Sequence, residues 1–181
     1  MPVSKRLSLE RRVLTYDFRL PPGPRTVEYA VLAENLGFRA VWCPEVPAFG
    51  HDIWITLARI AERTKRIIFG PSVLIPSYRH PMAQASAIAT LEQLAPGRLM
   101  VGFGTGFTGR AGLGKKPLTL ASMRTHIVQV KALLRGDVAD IDGGLAQFLA
   151  SDDWLPDRPI NVPVYMAGPR PARSRKRLLT A

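Results

Sequence analysis

Four short β-rich apolar runs begin near positions 12, 38, 67 and 98, each followed by an amphipathic stretch, so that successive starts lie 26, 29 and 31 residues apart. That rhythm constrains the fold more than any other feature. An interval of this length holds one helix and two turns, and a strand–helix–strand unit of that size returns to the same sheet in parallel. With a fifth run at 162–166, the chain reads as an α/β protein with five parallel strands. A doubly wound sheet and the first part of a (β/α)8 barrel both fit.

The first strand is expected over 12–18, closed by Pro21-Pro22-Gly23-Pro24; a helix follows from Thr26 to Leu36 and stops at Gly37. The second strand spans 38–43, and its core Ala40-Val41-Trp42-Cys43 suits a strand covered on both faces. Asp52 is placed to cap the next helix, whose last turn carries Arg63 to Arg66 at the negative end of the dipole. The third strand, 67–74, contains Gly70-Pro71, and a proline there predicts an edge, a bulge or the end of pairing. Further elements are a helix over 82–94, a strand over 99–103, a helix over 120–134 and an inserted loop at about 136–157.

Composition limits what such a chain does. It has 181 residues, 46% of them hydrophobic, enough for one buried core. No apolar run nears the roughly 20 residues of a membrane span, and the single cysteine, Cys43, excludes an internal disulfide, which fits a cytoplasmic protein. The net charge of +11 is uneven: residues 63–135 carry eleven basic side chains and one acid, whereas 136–157 carry six Asp and no basic residue. A basic segment attracts nucleic acid, an anionic membrane surface or a phosphorylated cofactor. Aromatics are not interleaved with the basic residues, which disfavours single-stranded nucleic acid.

Two segments are candidates for chemistry, each with a plainer alternative: a glycine-rich turn without a ligand for the first, and a helix cap or surface carboxylate for the second. Gly102-Phe103-Gly104-Thr105-Gly106 follows an apolar strand, where glycines let the backbone approach a ligand. It is neither a Rossmann fingerprint nor a phosphate loop, since Phe107 stands at the third glycine and no Gly-Lys-Ser/Thr follows. Trp42-Cys43-Pro44-Glu45 sets a carboxylate just past a strand's C-terminal end, the edge where parallel sheets bind ligands. Cys43, ending an apolar run with no His beside it, reads as a buried structural thiol. His51, His80 and His126 lack metal-ligand spacing, and G-x-S-x-G is absent. Arg79, Arg98, Arg110, Lys115 and Lys116 either line an anion site or are solvated.

In order, the blocks Ala33-Glu34-Asn35-Leu36-Gly37-Phe38 with Val41-Trp42-Cys43-Pro44-Glu45, Ile60-Ala61-Glu62-Arg63-Thr64-Lys65-Arg66-Ile67, Arg79-His80-Pro81 with Ile88-Ala89-Thr90-Leu91-Glu92-Gln93-Leu94, Val101-Gly102-Phe103-Gly104-Thr105-Gly106 and Val162-Pro163-Val164-Tyr165-Met166-Ala167 resemble the luciferase-like monooxygenase superfamily, in particular its branch using coenzyme F-420. The resemblance implies a TIM (β/α)8-barrel fold with only about the first five βα units present. Residues 1–168 would be a partial barrel domain, 169–181 a non-homologous basic tail, and the chain truncated. It implies an oxidoreductase transferring hydride between F-420, or alternatively FMN, and a small organic substrate.

By the same resemblance, Glu45 matches the acidic position near the cofactor ring. Ser72 and Val73 match the end of the third strand, where members often have a non-prolyl cis peptide against that ring. Gly104, Thr105 and Gly106 match the cofactor-contacting turn after the fourth strand, and Ala167 and Gly168 the pair after the fifth. Three positions depart from the pattern: Val46 where many members have histidine, Ile75 where some have threonine, and Phe107 where the sugar-phosphate dehydrogenases have a catalytic glutamate. Five strands would leave two open edges, which predicts a homo-oligomer or a completing partner. The competing readings are a non-catalytic anion- or nucleic-acid-binding module and a pseudoenzyme.

Overall fold

The computed structural model describes residues 16–21, 23–149, 154 and 157–167. Its main sheet contains β1 (Asp17–Arg19), β2 (Ala40–Cys43), β3 (Ile68–Leu74) and β4 (Val101–Gly104) side by side in chain order. A late strand, which follows a hairpin and is therefore β7 (Val164–Ala167), completes the row. All four pairings are parallel, with Ala40 opposite both Asp17 and Ile68, and Gly102 opposite both Ser72 and Tyr165. The expected α/β architecture is present. β1 and β7 form the edges of the described sheet, and there Phe18, Tyr165 and Met166 are exposed, whereas β4 is buried throughout.

Helices α1 (Thr26–Asn35), α2 (Ile53–Arg63), α3 (Pro81–Leu94) and α5 (Leu120–Arg135) fill the crossovers, and a short α4 (Phe107–Ala111) lies between β4 and α5. Three of the four long helices begin at a side chain that accepts from their free N–H groups. The Asp52 carboxylate accepts from Trp54 N at 2.8 Å and Ile55 N at 3.1 Å; His80 Nδ1 accepts from Met82 N ahead of Pro81; Thr119 Oγ1 accepts from Ser122 N. Leu57 and Ile60 of α2, Ile88 of α3 and Met123 and Leu133 of α5 are fully buried with Phe69 and Phe103 of the sheet, forming one core.

Several expectations shift. The strand expected over 12–18 is described only from Asp17, since residues 12–15 lie outside the described set. The fourth strand starts at Val101 rather than 99, Leu99 making an isolated bridge with Phe69. The last strand begins at Val164 rather than 162, because Pro163 has no N–H to give and contributes only its carbonyl, to Val101 N. Part of the expected loop at 136–157 is an antiparallel hairpin, β5 (Ala139–Ile141) and β6 (Gly144–Ala146). Pro71 does not mark an edge: β3 is central, and the register against β4 slips between Ser72 and Leu74. That is the bulge alternative, and the Ser72–Val73 peptide within it is cis. The tail 169–181 lies outside the described residues.

Candidate functional site

Parallel pairing sends the C-terminal ends of β3, β4 and β7 to one side of the sheet, and a cleft of about 520 Å³ opens there. Val73, Gly104, Thr105, Gly106 and Ala167 line it, so the structure brings together five of the eight residues singled out from the sequence. Ser72 sits behind, opposite Gly102 in the ladder, and Gly168 lies outside the described residues. The Cβ of any other residue at position 104 would stand 2.5 Å from Val73 Cγ2, which explains the glycine: it lets β4 close against the bulge. Gly106 takes φ +79° to turn the chain into α4.

Glu45 does not line the cleft; it braces the layer behind it. It follows β2, is 7% exposed, and its Oε2 accepts from Ile75 N at 2.6 Å, tying the β2 and β3 exits together. Burial pushes its pKa up to about 7, against the pull of the Ile75 hydrogen bond and the Arg79 charge, with Asp52 adding to the rise. Glu45 is therefore poised between carboxyl and carboxylate near neutrality. The Tyr78 hydroxyl, close by, is buried without a partner among the described residues, and burial and then Glu45 raise its pKa. The side chain of Ile75 in turn fills the space beside Gly106 and Gly109.

The other sequence candidates serve the framework. Cys43 is buried, and burial drives its thiol up to about 12, so it is no nucleophile. Arg79 pairs with Asp52 and lies over the Trp54 ring. Arg98 donates to Thr64 Oγ1 and the Ala61 carbonyl, and Arg110 donates to Ser77 Oγ and the Lys116 carbonyl. Three arginines of the suspected anion site are thus engaged within the fold. His126 is buried, and its Nε2 donates to Gln84 Oε1 at 2.6 Å while Phe103 meets the ring edge-on. Burial, then the charge of His80, lowers its pKa to about 4. Among the described residues no three His, Cys, Asp or Glu gather to hold a metal, and no helix is long and apolar enough to cross a membrane.

Phe107, noted from the sequence as a departure from a catalytic glutamate, lines the cleft, and sequence reasoning missed Pro117, Leu118 and Leu120 beside it. Their signal was apolar character directly before or at a helix start, where polar residues are usual.

A parallel sheet whose strands lie side by side in chain order, with helices in the crossovers and a cleft at the carboxyl ends of its strands, is the arrangement of the (β/α)-barrel class. Within that class, the model of the luciferase-like monooxygenase family matches residues 10–176, and the chain belongs to that family. An F-420-dependent glucose-6-phosphate dehydrogenase of Beutenbergia cavernae is 36% identical over 167 residues, covering 81% of this chain and 47% of that protein. The fold is shared with the F-420-dependent tetrahydromethanopterin reductase of Methanopyrus kandleri, at TM-score 0.64 and 20% identity, covering 84% of this chain and 49% of that one. It is also shared with the FMN-bound oxygenating constituent of 3,6-diketocamphane monooxygenase of Pseudomonas putida, at TM-score 0.61 and 18% identity, covering 76% and 45%. The chain spans about half the length of the curated relatives it matches.

Proposed function

We propose that this chain is the cofactor-facing part of an oxidoreductase that passes hydride between coenzyme F-420, or FMN as the alternative, and a small organic substrate. The observation that supports it is the cleft itself: a concave site at the strand ends, walled by main chain, Thr105 and apolar side chains, with no charged side chain among the described residues of its lining. A flat, neutral ring fits such a lining. Val73, Gly104, Thr105, Gly106 and Ala167 would hold the ring, with Gly168 continuing the last strand. When bound, the cofactor supplies the hydride chemistry. The chain's own task is to orient the ring and keep water from it: Glu45 fixes the Ile75 main chain behind the cleft and retains a proton near pH 7.

The reading extends to residues 1–168 as one partial barrel domain with the tail 169–181 outside it, and to a cytoplasmic setting, supported by the one buried cysteine. The exposed edges β1 and β7 favour pairing with further βα units or a second chain. Fluorescence titration with F-420 and with FMN tests the proposal. Saturable binding of one of them in the micromolar range is expected, weakened about tenfold in Gly104→Ala, because the added methyl displaces Val73 into the cleft. No saturable binding of either sinks the assignment.

A further inference from the structure

We infer that a second cavity, between the first turns of α3 and α5, is a binding site for an uncharged polyol such as a sugar. Its volume is about 510 Å³, within the roughly 300–1,000 Å³ of small-molecule sites, and residues between Pro76 and Asp142 line it. Leu118 is the one lining residue it shares with the cleft at the strand ends. Two histidines set what it asks of a ligand. His126, on α5, lines the cavity although it is only 7% exposed. Its Nε2 is committed to Gln84 Oε1 at 2.6 Å, and burial holds the ring neutral. Nδ1 therefore keeps a bare lone pair, turned to the cavity and without a partner among the described residues. His80 has the reverse polarity: its Nδ1 accepts from Met82 N, which puts the ring proton on Nε2 as a donor.

The rest of the lining continues this mixture. Thr125 Oγ1 donates to the Ala121 carbonyl and keeps its lone pairs, and Gln129 Nε2 donates to the Asp140 carbonyl at 2.8 Å, which leaves Oε1 as an acceptor. Ser122 adds a hydroxyl and Asp142 a carboxylate, while Pro76, Pro81, Leu118 and Ile141 add apolar surface. A sugar answers each kind of group, because its hydroxyls both donate and accept and its C–H faces pack on apolar side chains. An ionised phosphate is mainly an acceptor. It would meet the Asp142 carboxylate and the His126 lone pair, and Arg79 in the same lining is already paired with Asp52 at 3.2 Å.

The test is an NMR titration of the whole chain, carbon-13 labelled at its three histidines, with methyl β-D-glucopyranoside, sorbitol and inorganic phosphate as probes. At least one polyol is expected to shift the His80 and His126 ring resonances saturably and leave His51 in place, while phosphate gives no saturable shift. His126→Gln keeps an amide at the Nε2 position for Gln84 and deletes Nδ1, and Ser122→Ala keeps the main-chain N–H that Thr119 caps. Read at His80, polyol affinity should fall at least about tenfold in the first variant and about threefold in the second. If His126→Gln fails to fold, Ser122→Ala decides alone. No saturable shift with either polyol, tighter binding of phosphate, or unchanged polyol affinity in the folded variants overturns the inference. The titration needs no F-420, so its failure leaves the cofactor reading standing, and failure of F-420 binding leaves this one.

Discussion

Glu34 and Glu45 use their carboxylates for the same purpose at opposite ends of the sheet, with opposite electrostatic results. At the strand starts, Glu34 accepts from three consecutive main-chain donors, Lys65 N, Arg66 N at 2.7 Å and Ile67 N at 2.8 Å, pinning the turn from α2 into β3. Partial burial works to raise its pKa, but the three hydrogen bonds and the Arg66 charge outweigh that, and the net shift is downward. At the strand ends, Glu45 has one main-chain donor, deeper burial and the Asp52 charge nearby, and its pKa rises to about 7. A carboxylate whose charge is fully answered serves only stability. One left partly unanswered keeps a proton available at neutral pH, and it lies on the side of the sheet where the cleft opens.

The largest effect that would break this contrast is a pH dependence. Glu45, raised from 4.5 to about 7, adds stability that is complete below pH 4.5 and is lost as pH rises toward 7; His126, lowered from 6.5 to about 4, adds stability that is lost as pH falls below 6.5. The two slopes oppose each other and nearly cancel between pH 4.5 and 6.5. Glu45→Gln keeps an acceptor for Ile75 N and removes one slope, so urea unfolding of the variant should show stability rising by about 2–3 kcal/mol across that range, against a flatter wild type. A variant profile as flat as wild type would mean that Glu45 titrates normally.

Next in size, Glu34→Ala removes the acceptor of three donors and is expected to cost about 2 kcal/mol at pH 7, read from the urea midpoint. Its sign with pH is the reverse of that at Glu45: the wild-type advantage is present above pH 4.5 and shrinks on acidification below it. A loss under about 0.5 kcal/mol would reduce the clamp to an ordinary surface contact. The smallest change expected is in Asp52→Ala, about 1 kcal/mol for the lost α2 cap. Because the Asp52 charge raises the Glu45 pKa, the same variant should move the Glu45 carboxyl resonance to a lower midpoint in an NMR titration. An unmoved midpoint would detach the two acids.

What could be read beforehand followed the reach of each signal. The parallel sheet was legible because its cause, the spacing of apolar runs, lies in the chain order itself; Pro71, which cannot donate to a ladder, signalled an irregularity in β3 but left edge, bulge and end of pairing open. Glu34 carries no local mark of its role, since its donors lie 31 to 33 residues away. The Gln84–His126 hydrogen bond spans 42 residues and joins α3 to α5, a pairing no helical periodicity specifies. α4 was hidden by its glycines: Gly106 belongs to the glycine turn and Gly109 disfavours a helix on propensity, whereas packing against Ile75 and Tyr78 makes Gly109 necessary inside one. The hairpin at 139–146 was hidden by its size, three residues a strand with Asp140, Asp142 and Gly143 between apolar positions.

Cys43 pairs opposite Pro71 in the middle of the sheet and is the protein's one thiol, 2% exposed and protonated far above neutral pH. No alkylating reagent reaches it while β2 and β3 stay together, so the rate at which iodoacetamide modifies this chain is a clock for the opening of the sheet. Run with and without F-420, that clock reports whether a ligand at the strand ends holds shut a part of the molecule it does not touch.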